Sequence, residues 1–313
     1  MTILLLGANG QVGHELRRAL APLGGLVAAT RDGRLADGRT AEVGDLADAE
    51  ALVALLDRVR PRCIVNAAAY TAVDRAETEA DAADRANHVG VGVLGDWAAR
   101  HAAQVVHYST DYVFDGQGID DGGTPRAYRE ADATAPLGAY GRSKLAGEQA
   151  LAASGAEHLI FRTAWVYAAR GANFLRTMLR LAGERDELRV VADQVGSPTP
   201  AWAIADATAA VLAWQRANGE AARRSTSGLY HMTAGGQCSW FDFASAILRE
   251  AHAAGLIARV PRVLPITTAD YPTPARRPAW SVLENAKLAQ TFGVRLPEWN
   301  DGLRRVIAEL AAA

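Results

Sequence analysis

Cysteine is scarce in this sequence. Cys63 and Cys238 are the two cysteines among 313 residues, and they stand in unrelated contexts. This count implies neither a disulfide framework nor a cysteine-based metal cluster. Because a reducing compartment suits such a chain, we predict a cytoplasmic protein.

Charge of one sign and long apolar runs are also missing. The 33 lysines and arginines nearly balance the 35 aspartates and glutamates, and the net charge is -2. Without a basic field, neither a nucleic acid nor an anionic membrane is predicted as a partner. No apolar run approaches the length of a membrane span, and residues 1–7 lack the basic region and the length of a signal peptide. We expect a soluble globular protein with one large domain or two lobes.

A glycine-rich turn is the first candidate site. The apolar run 2–6 ends at Gly7, and Gly10 and Gly13 follow at the spacing G-x-x-G-x-x-G before a helical apolar pattern begins. Glycines let the backbone approach a pyrophosphate, and the N-terminus of the helix attracts its charge. The order of strand, turn and helix therefore predicts a dinucleotide site, and the alternative is an ordinary tight turn.

The end of the second predicted strand, about residues 26–30, bears on the choice of cofactor. Arg31 or Arg34 could contact a 2′-phosphate, which favours NADPH, whereas Asp32 keeps NADH possible. The alternative for both arginines is a solvated loop. Further along, Asp45 could accept from an adenine amino group or cap the helix predicted over 47–60.

Two later strands end in residues that suit a ligand. The strand that begins at Cys63 runs into Ala67, Ala68 and Ala69, whose small side chains leave room for a cofactor against the backbone. The strand 104–108 delivers a Ser-Thr-Asp cluster at its carboxyl end, where open α/β sheets bind ligands. A hydroxyl there, as on Thr110, can hydrogen-bond a substrate carbonyl. The alternatives are plain alanine richness and a turn cluster.

Tyr140 and Lys144 form the most informative pair. They stand four residues apart on a predicted helix and therefore share one face. The chain has only two lysines, Lys144 and Lys287, so the spacing is unlikely to arise by chance. Free tyrosine titrates near ~10, and a nearby ammonium supplies much of the shift of about three units, about 4 kcal/mol, that a neutral-pH acid or base needs. We predict a general acid/base pair, against the alternative of an exposed pair without a role. Asn87 could join a proton relay or be structural.

The glycine turn, Ser109-Thr110 and Tyr140-x-x-x-Lys144 together resemble an extended short-chain dehydrogenase/reductase. Within that group the chain is similar to the dTDP-4-dehydrorhamnose reductase family, and the likeness covers nearly the whole chain. The stretches that carry it are 7–13, 66–74, 109–116, 140–148, 162–167, 193–199 and 271–278.

The strand and helix pattern, with this resemblance, predicts an α/β fold with a Rossmann-type, doubly wound parallel sheet and a smaller, mostly C-terminal α/β substrate lobe. Residues 1–165, plus about 200–232, would form the NAD(P)-binding domain. Residues about 166–199 and 233–313 would form the lobe that clasps the sugar nucleotide. The helix at about 200–217 and the strand near 228–232 would return to the main sheet.

The resemblance implies reduction of the 4-keto group of dTDP-4-dehydro-β-L-rhamnose, dependent on NADPH with NADH possible. Tyr140 would donate the proton, Lys144 would bind the nicotinamide ribose, and Thr110 would hydrogen-bond O4. Asp111, Trp165 and Arg276 would contact the substrate. The motifs and the resemblance together predict a cofactor site formed by Gly7, Asn9, Gly10, Gln11, Val12, Gly13, Thr30, Arg31, Asp45, Leu46, Ala67, Ala68, Ala69, Tyr108, Tyr140 and Lys144.

Two features of the chain depart from the family pattern, and three other functions are alternatives to the reductase. The segment between Asp115 and Glu130 is longer than in relatives, and some members are magnesium-bridged dimers. Glu15 matches one of their acidic residues, but the others have no match, so no metal site is predicted and a monomer or a homodimer stays open.

A 4,6-dehydratase would carry a Glu where Tyr112 follows Asp111. An epimerase is not excluded, and a non-catalytic regulatory homologue would bind cofactor without hydride transfer.

Overall fold

Helices and strands alternate through the chain in the computed structural model, which describes residues 1–120, 122–123 and 125–312. One turn of π-helix, Arg85–Val89, here called the π-turn, joins the helix Ala80–Asp84 to the helix Gly90–His101. The elements in chain order are β1 (Thr2–Leu6), α1 (Gln11–Ala19), β2 (Gly25–Thr30), β3 (Glu42–Val43), α2 (Ala49–Val59), β4 (Cys63–Asn66), α3 (Ala80–Asp84), α4 (Gly90–His101), β5 (Gln104–Thr110), β6 (Ile119–Asp120), β7 (Pro125–Arg126), α5 (Ala139–Ala153), β8 (Glu157–Thr163), β9 (Val166–Tyr167), α6 (Phe174–Glu184), β10 (Glu187–Val191), β11 (Val195–Gly196), β12 (Thr199–Pro200), α7 (Ala201–Ser225), β13 (Gly228–His231), β14 (Cys238–Ser239), α8 (Trp240–Ala253), β15 (Arg262–Ile266), α9 (Ala286–Phe292) and α10 (Trp299–Ala311).

Seven parallel strands form the main sheet, in the order β3-β2-β1-β4-β5-β8-β13. The chain winds outward from β1 in both directions, so the order switches between β1 and β4, and ligands of such sheets bind at the carboxyl ends beside this point. The predicted doubly wound Rossmann-type sheet is therefore confirmed. The predicted return of the strand near 228–232 is also confirmed, because β13 pairs with β8.

The two faces of the sheet bury separate cores. Ile3 and Leu5 of β1 pack on the side of α1 and α7, whereas Leu4 and Leu6 pack on the side of α2 and α4. This alternation follows from the period of two along a strand, and a sheet covered on both faces needs apolar residues at every position. β1 is therefore a continuous apolar run that ends at the glycine turn.

A smaller lobe packs around its own core. Helices α6, α8 and α10 enclose apolar residues, and β10 pairs in parallel with β15 beside them. β15 and α10 have no counterpart in the sequence analysis, and residues 193–200 contain β11 and β12. β15 was missed because its partner lies about 75 residues earlier and its short run contains Pro265. No helix in the described ranges is long and apolar enough to cross a membrane.

A buried ion pair joins α5 to β8. Arg162 Nε donates to Glu148 Oε1 at 2.9 Å, and its Nη2 donates to Oε2 at 2.6 Å. The side chains are only 3% and 6% exposed, so neither charge has water to replace its partner. Removing one partner leaves the other charge buried and alone, which is more costly than the pair itself is stabilising.

We expect Glu148→Ala to lower the free energy of unfolding by about 3–5 kcal/mol, because it leaves Arg162 buried without its carboxylate. Urea denaturation measures the change. The matched control is Glu184→Ala, which removes an exposed ion pair with Arg180 on α6 and should cost at most about 0.5 kcal/mol. Equal losses in the two variants would contradict the prediction.

Candidate active site

The glycine turn lies between β1 and α1 at the carboxyl edge of the sheet. Gly7 has a φ of +75°, and a Cβ there would lie 2.6 Å from the backbone nitrogen of Ala68. A Cβ on Gly13 would lie 2.0 Å from the carbonyl oxygen of Gly7, so α1 approaches the turn more closely than any side chain allows. This backbone cradle, with the first amides of α1 above it, fits a pyrophosphate.

A cleft of about 800 Å³ opens along this edge. The ends of β1, β4, β5 and β8 contribute to its wall, as expected where the carboxyl ends of parallel strands meet. Of the residues predicted to bind cofactor or substrate, the cleft brings together Gly7, Gly10, Gln11, Val12, Arg31, Asp45, Leu46, Ala67, Ala68, Ala69, Tyr108, Thr110, Asp111, Tyr140, Lys144 and Trp165.

Four predicted residues lie outside the cleft lining, and three of them shape the structure around it. Asn9 brackets the loop after β2, because its Nδ2 donates to the Arg34 carbonyl and its Oδ1 accepts from the Ala36 N–H. Gly13 lies against Gly7, behind the turn. Thr30 is buried and donates to the Asp32 carboxylate. The fourth, Arg276, is described with its loop below.

The end of the cleft beside β2 and β3 carries Arg31 but not Arg34. Arg31 is 84% exposed and its Nε lies 4.0 Å from the Asp45 carboxylate, whereas Arg34 is exposed outside the cleft. Hydrogen bonds from Arg34 N–H and Thr30 lower the pKa of Asp32, which is engaged in its own turn. Asp45 accepts from the Ala47 N–H, and the cap of α2 is Asp48 instead, so Asp45 is free to face the cleft with its other oxygen.

Thr110 connects two other side chains of the cleft. Its hydroxyl donates to Asp111 Oδ1 at 3.0 Å and accepts from the Tyr112 N–H at 3.2 Å. The Thr110 hydroxyl also neighbours the phenol of Tyr140 and acts to lower the pKa of that phenol. Burial raises the pKa of Tyr140 above its usual range, so the phenol keeps its proton in this environment.

Asp111 carries the most perturbed carboxyl of the cleft. It is 2% exposed, and its Oδ2 has no hydrogen-bond partner within the described part of the chain. Burial raises the pKa of Asp111 to about 6, against the opposite effect of the hydrogen bond from Thr110. Asp111 lines the cleft, and an acceptor without a partner is a place where a donor can bind.

Lys144 is fully buried on the same face of α5 as Tyr140. Its Nζ donates to the Tyr108 carbonyl oxygen at 2.6 Å and lies 3.1 Å from His107 Nε2. Burial lowers the pKa of Lys144 to about 8, and Glu148 acts in the opposite direction. The phenol of Tyr108 points away, into the core, and pairs with the Thr208 hydroxyl at 2.8 Å. Tyr108 therefore serves the cleft through its backbone.

Main-chain contacts set the position of α5. A Cβ on Gly141 would lie 2.2 Å from the Tyr112 carbonyl oxygen, and one on Gly147 would lie 2.0 Å from the Asn87 carbonyl oxygen. The Asn87 side chain, in the π-turn, bonds both backbone groups of Tyr70 and donates to Ser143. Asn87 therefore has the structural role that the sequence left as the alternative to a proton relay.

Aromatic and basic residues close the other side of the cleft. Trp165 has a φ of +48° and stacks on Trp240 with ring centroids 3.5 Å apart. In the loop 271–278, Arg277 pairs with Asp74 at 2.7 Å and donates to the Tyr112 hydroxyl, whereas Arg276 is exposed and outside the cleft. His107 was not predicted from the sequence. A polar residue in a strand buried at every position was the available signal for His107.

Glu15 lies on α1, and the cleft lining does not include it. Its carboxylate is 3.8 Å from Arg18, and burial, with Glu309, raises its pKa. Within residues 1–120, 122–123 and 125–312, no group of three or more His, Cys, Asp or Glu side chains is arranged to hold a metal ion.

Comparison with known proteins gives consistent matches along the whole chain. The family model described as the RmlD substrate binding domain matches residues 1–312. The dTDP-4-dehydrorhamnose reductase of Burkholderia thailandensis is 49% identical over 313 residues, which are 99% of each protein. The protein of the same name from Escherichia coli K12 is 46% identical over 310 residues, 99% of this chain and 98% of the other.

Solved structures agree with these matches. A dTDP-4-dehydrorhamnose reductase from Clostridium acetobutylicum superposes with a TM-score of 0.85 at 35% identity, covering 99% of both chains. The one from Bacillus anthracis, solved in complex with NADP, has a TM-score of 0.84 at 32% identity, covering 98% of this chain and 99% of the other. A Thermus thermophilus UDP-glucose 4-epimerase in complex with NAD, at 20% identity and a TM-score of 0.77 over the whole of both chains, shares the fold.

We expect Asp111→Asn to change how stability depends on pH. Because burial raises the carboxyl pKa to about 6 in the folded state, the folded protein binds the extra proton, and wild-type stability falls as the pH rises from about 4 through about 6. The asparagine amide does not ionise, so its burial carries no cost that grows with pH. The variant should therefore gain up to about 3 kcal/mol relative to wild type between about pH 4 and pH 8 in urea denaturation. Parallel stability curves would contradict the assignment.

Proposed function

Because the chain belongs to the RmlD substrate binding domain family, we propose that it reduces the C4 ketone of dTDP-4-dehydro-β-L-rhamnose to give dTDP-β-L-rhamnose, the last step in making that sugar nucleotide. The observation that carries the proposal is the cluster of Thr110, Tyr140 and Lys144 at the sheet edge, beside a glycine cradle that fits a dinucleotide. Close relatives across the full length bear the name of this activity. A 4,6-dehydratase is disfavoured because Tyr112 stands where its Glu would.

The reaction needs one hydride and one proton. NADPH, when bound, supplies the hydride to C4 of the sugar. Tyr140 gives its phenolic proton to the oxygen at C4, so the carbon–oxygen double bond becomes an alcohol and the phenolate remains. Thr110 neighbours the phenol and can direct its hydroxyl to O4. Lys144, one helical turn from Tyr140, binds the ribose of the nicotinamide and stabilises the phenolate when charged.

The cofactor follows the sheet edge in this proposal. The pyrophosphate lies on Gly10, Gln11 and Val12 at the start of α1, and Ala67–Ala69 border the middle of the cofactor. Asp45 and Leu46 lie at the adenine. Arg31 is the arginine that lines the cleft, so it is the proposed contact to a 2′-phosphate, with NADH as the weaker alternative.

The substrate occupies the rest of the cleft. Asp111 presents its unpartnered Oδ2 to a sugar hydroxyl, and Trp165 borders the sugar nucleotide. Arg277 positions the loop 271–278 through Asp74 and Tyr112. Arg276, which is exposed, contacts the diphosphate from the edge of the cleft in this proposal.

Domain roles follow from the sheet and the second core. Residues 1–165 with about 200–232 bind the cofactor, and about 166–199 with 233–313 bind the sugar nucleotide.

We place the protein in the cytoplasm, where its two free, buried cysteines suit a reducing environment. It acts as a monomer or a homodimer, and Mg²⁺ has no step in the proposed reaction because Glu15 lies outside the cleft.

We expect rapid oxidation of NADPH when the protein meets enzymatically prepared dTDP-4-dehydrorhamnose, with dTDP-rhamnose as the product. Tyr140→Phe removes the proton donor and should lower kcat about 10²- to 10⁴-fold, without weakening NADPH binding. The matched control is Tyr271→Phe, at an exposed position, which should keep full activity. Full turnover by Tyr140→Phe would overturn its role. Cofactor binding without any oxidation by wild type would favour the regulatory homologue.

We expect Arg31→Ala to raise the KM for NADPH at least tenfold and to leave the KM for NADH unchanged. A charge-assisted hydrogen bond to a 2′-phosphate is worth about 1.5–3 kcal/mol, and NADH has no phosphate to lose. Arg34→Ala is the control, because Arg34 lies outside the cleft. A larger effect of Arg34→Ala than of Arg31→Ala would show that the wrong arginine had been assigned.

A further inference from the structure

Three buried polar side chains form a chain that joins β4, β5 and α5. Asn66, His107 and Lys144 are each at most 1% exposed. Asn66 Nδ2 lies 3.1 Å from His107 Nδ1, and His107 Nε2 lies 3.1 Å from Lys144 Nζ. The ring of His107 therefore connects an amide on one side to the amine on the other.

The direction of these hydrogen bonds follows from one backbone group. The N–H of Ala68 donates to the side chain of Asn66 at 3.1 Å, so the atom that receives it must be the amide oxygen. The amide nitrogen of Asn66 then faces His107 and donates to Nδ1. A neutral imidazole that accepts at Nδ1 carries its proton on Nε2. That N–H is directed at Lys144 Nζ.

An ammonium group has no lone pair with which to accept this bond, but an amine has one. As an amine, Lys144 accepts from His107 and donates to the Tyr108 carbonyl oxygen, so both contacts are satisfied. We propose that Asn66 and His107 are positioning residues that hold Lys144 as an uncharged amine in the protein free of cofactor. The state of Lys144 is inferred without the proposed function, and only its consequence for Tyr140 rests on that function. Without a cation beside it, Tyr140 keeps the proton that a ketone reductase must donate.

The surroundings of Lys144 are consistent with this state. Its burial removes the water that would stabilise an ammonium, and this lowers its pKa to about 8. Among the described residues, Glu148 on α5 is the charge that acts against this shift, and the ion pair with Arg162 from β8 occupies both carboxylate oxygens of Glu148. Tyr140, one turn earlier, stays neutral because its pKa is raised. His107 also stays neutral, because burial holds its pKa well below the usual range.

The tautomer of His107 is directly measurable. In protein labelled with ¹⁵N histidine, the His107 signals, assigned by their loss in His107→Gln, should show a proton on Nε2 and none on Nδ1 at about pH 9, where Lys144 is mostly the amine. A proton on Nδ1 would overturn the proposal, since Nε2 would then accept from an ammonium. This measurement uses the wild-type protein and does not depend on the folding of any variant.

The charge of Lys144 is measurable because the chain has only two lysines. Protein labelled with ¹³Cε lysine gives two signals, and the exposed Lys287 serves as the internal reference. In His107→Gln the side-chain amide can turn its oxygen to Nζ, so the ammonium regains an acceptor. The titration midpoint of Lys144 should then rise by about one pH unit, with Lys287 unchanged. An unmoved midpoint would overturn the proposal.

The matched control is His231→Gln. His231 is also a fully buried histidine, in β13 at the edge of the sheet, and the interactions that shift its pKa do not involve Lys144. The midpoint of Lys144 should stay where it is in wild type. If His231→Gln moved it as far as His107→Gln does, the shift would reflect loosening of the core, and the positioning role would be refuted.

These measurements need neither substrate nor cofactor, so they separate this inference from the proposed function. The expected tautomer and midpoint shift in a protein that does not oxidise NADPH would support the amine and refute the reductase. Full turnover with an Nδ1 proton on His107 would support the reductase and refute the amine.

Discussion

Strand β5 is an inner strand of the sheet, and its burial positions several of the groups around the cleft. All seven of its residues are buried, between β4 and β8. Such a strand cannot slip by one residue without sending polar side chains into the opposite core. Its register therefore fixes three features at once: the ring of His107 beneath Lys144, the Tyr108 carbonyl that holds the amine, and the hydroxyl of Thr110 at the strand end.

Short spacings in the sequence predicted the features that contacts between nearby residues determine. The spacing of Gly7 and Gly13 was enough to place the turn, because only glycine tolerates that backbone contact. Tyr140 and Lys144 share a face because four residues make about one helical turn. The parallel sheet and the return of β13 follow from the order of elements, which is also local information.

Contacts between distant residues explain what the sequence could not show. Arg276 and Arg277 are chemically equivalent in the sequence, and the choice between them is made by Asp74, about 200 residues away. Asn9 looks like part of the glycine turn, yet it brackets the loop of Arg34. The tautomer of His107 depends on Asn66, which lies beside it on the adjacent strand β4.

The glycines of α5 have a consequence for divergence. Gly141 and Gly147 bring the helix against carbonyl groups of the Tyr112 turn and the Asn87 π-turn, so the separation between these segments is set by backbone atoms. Backbone atoms are the same in every sequence. The exposed residues of α5 and the side chains around it are therefore free to drift over evolutionary time without displacing Tyr140 or Lys144, provided that these two positions stay glycine.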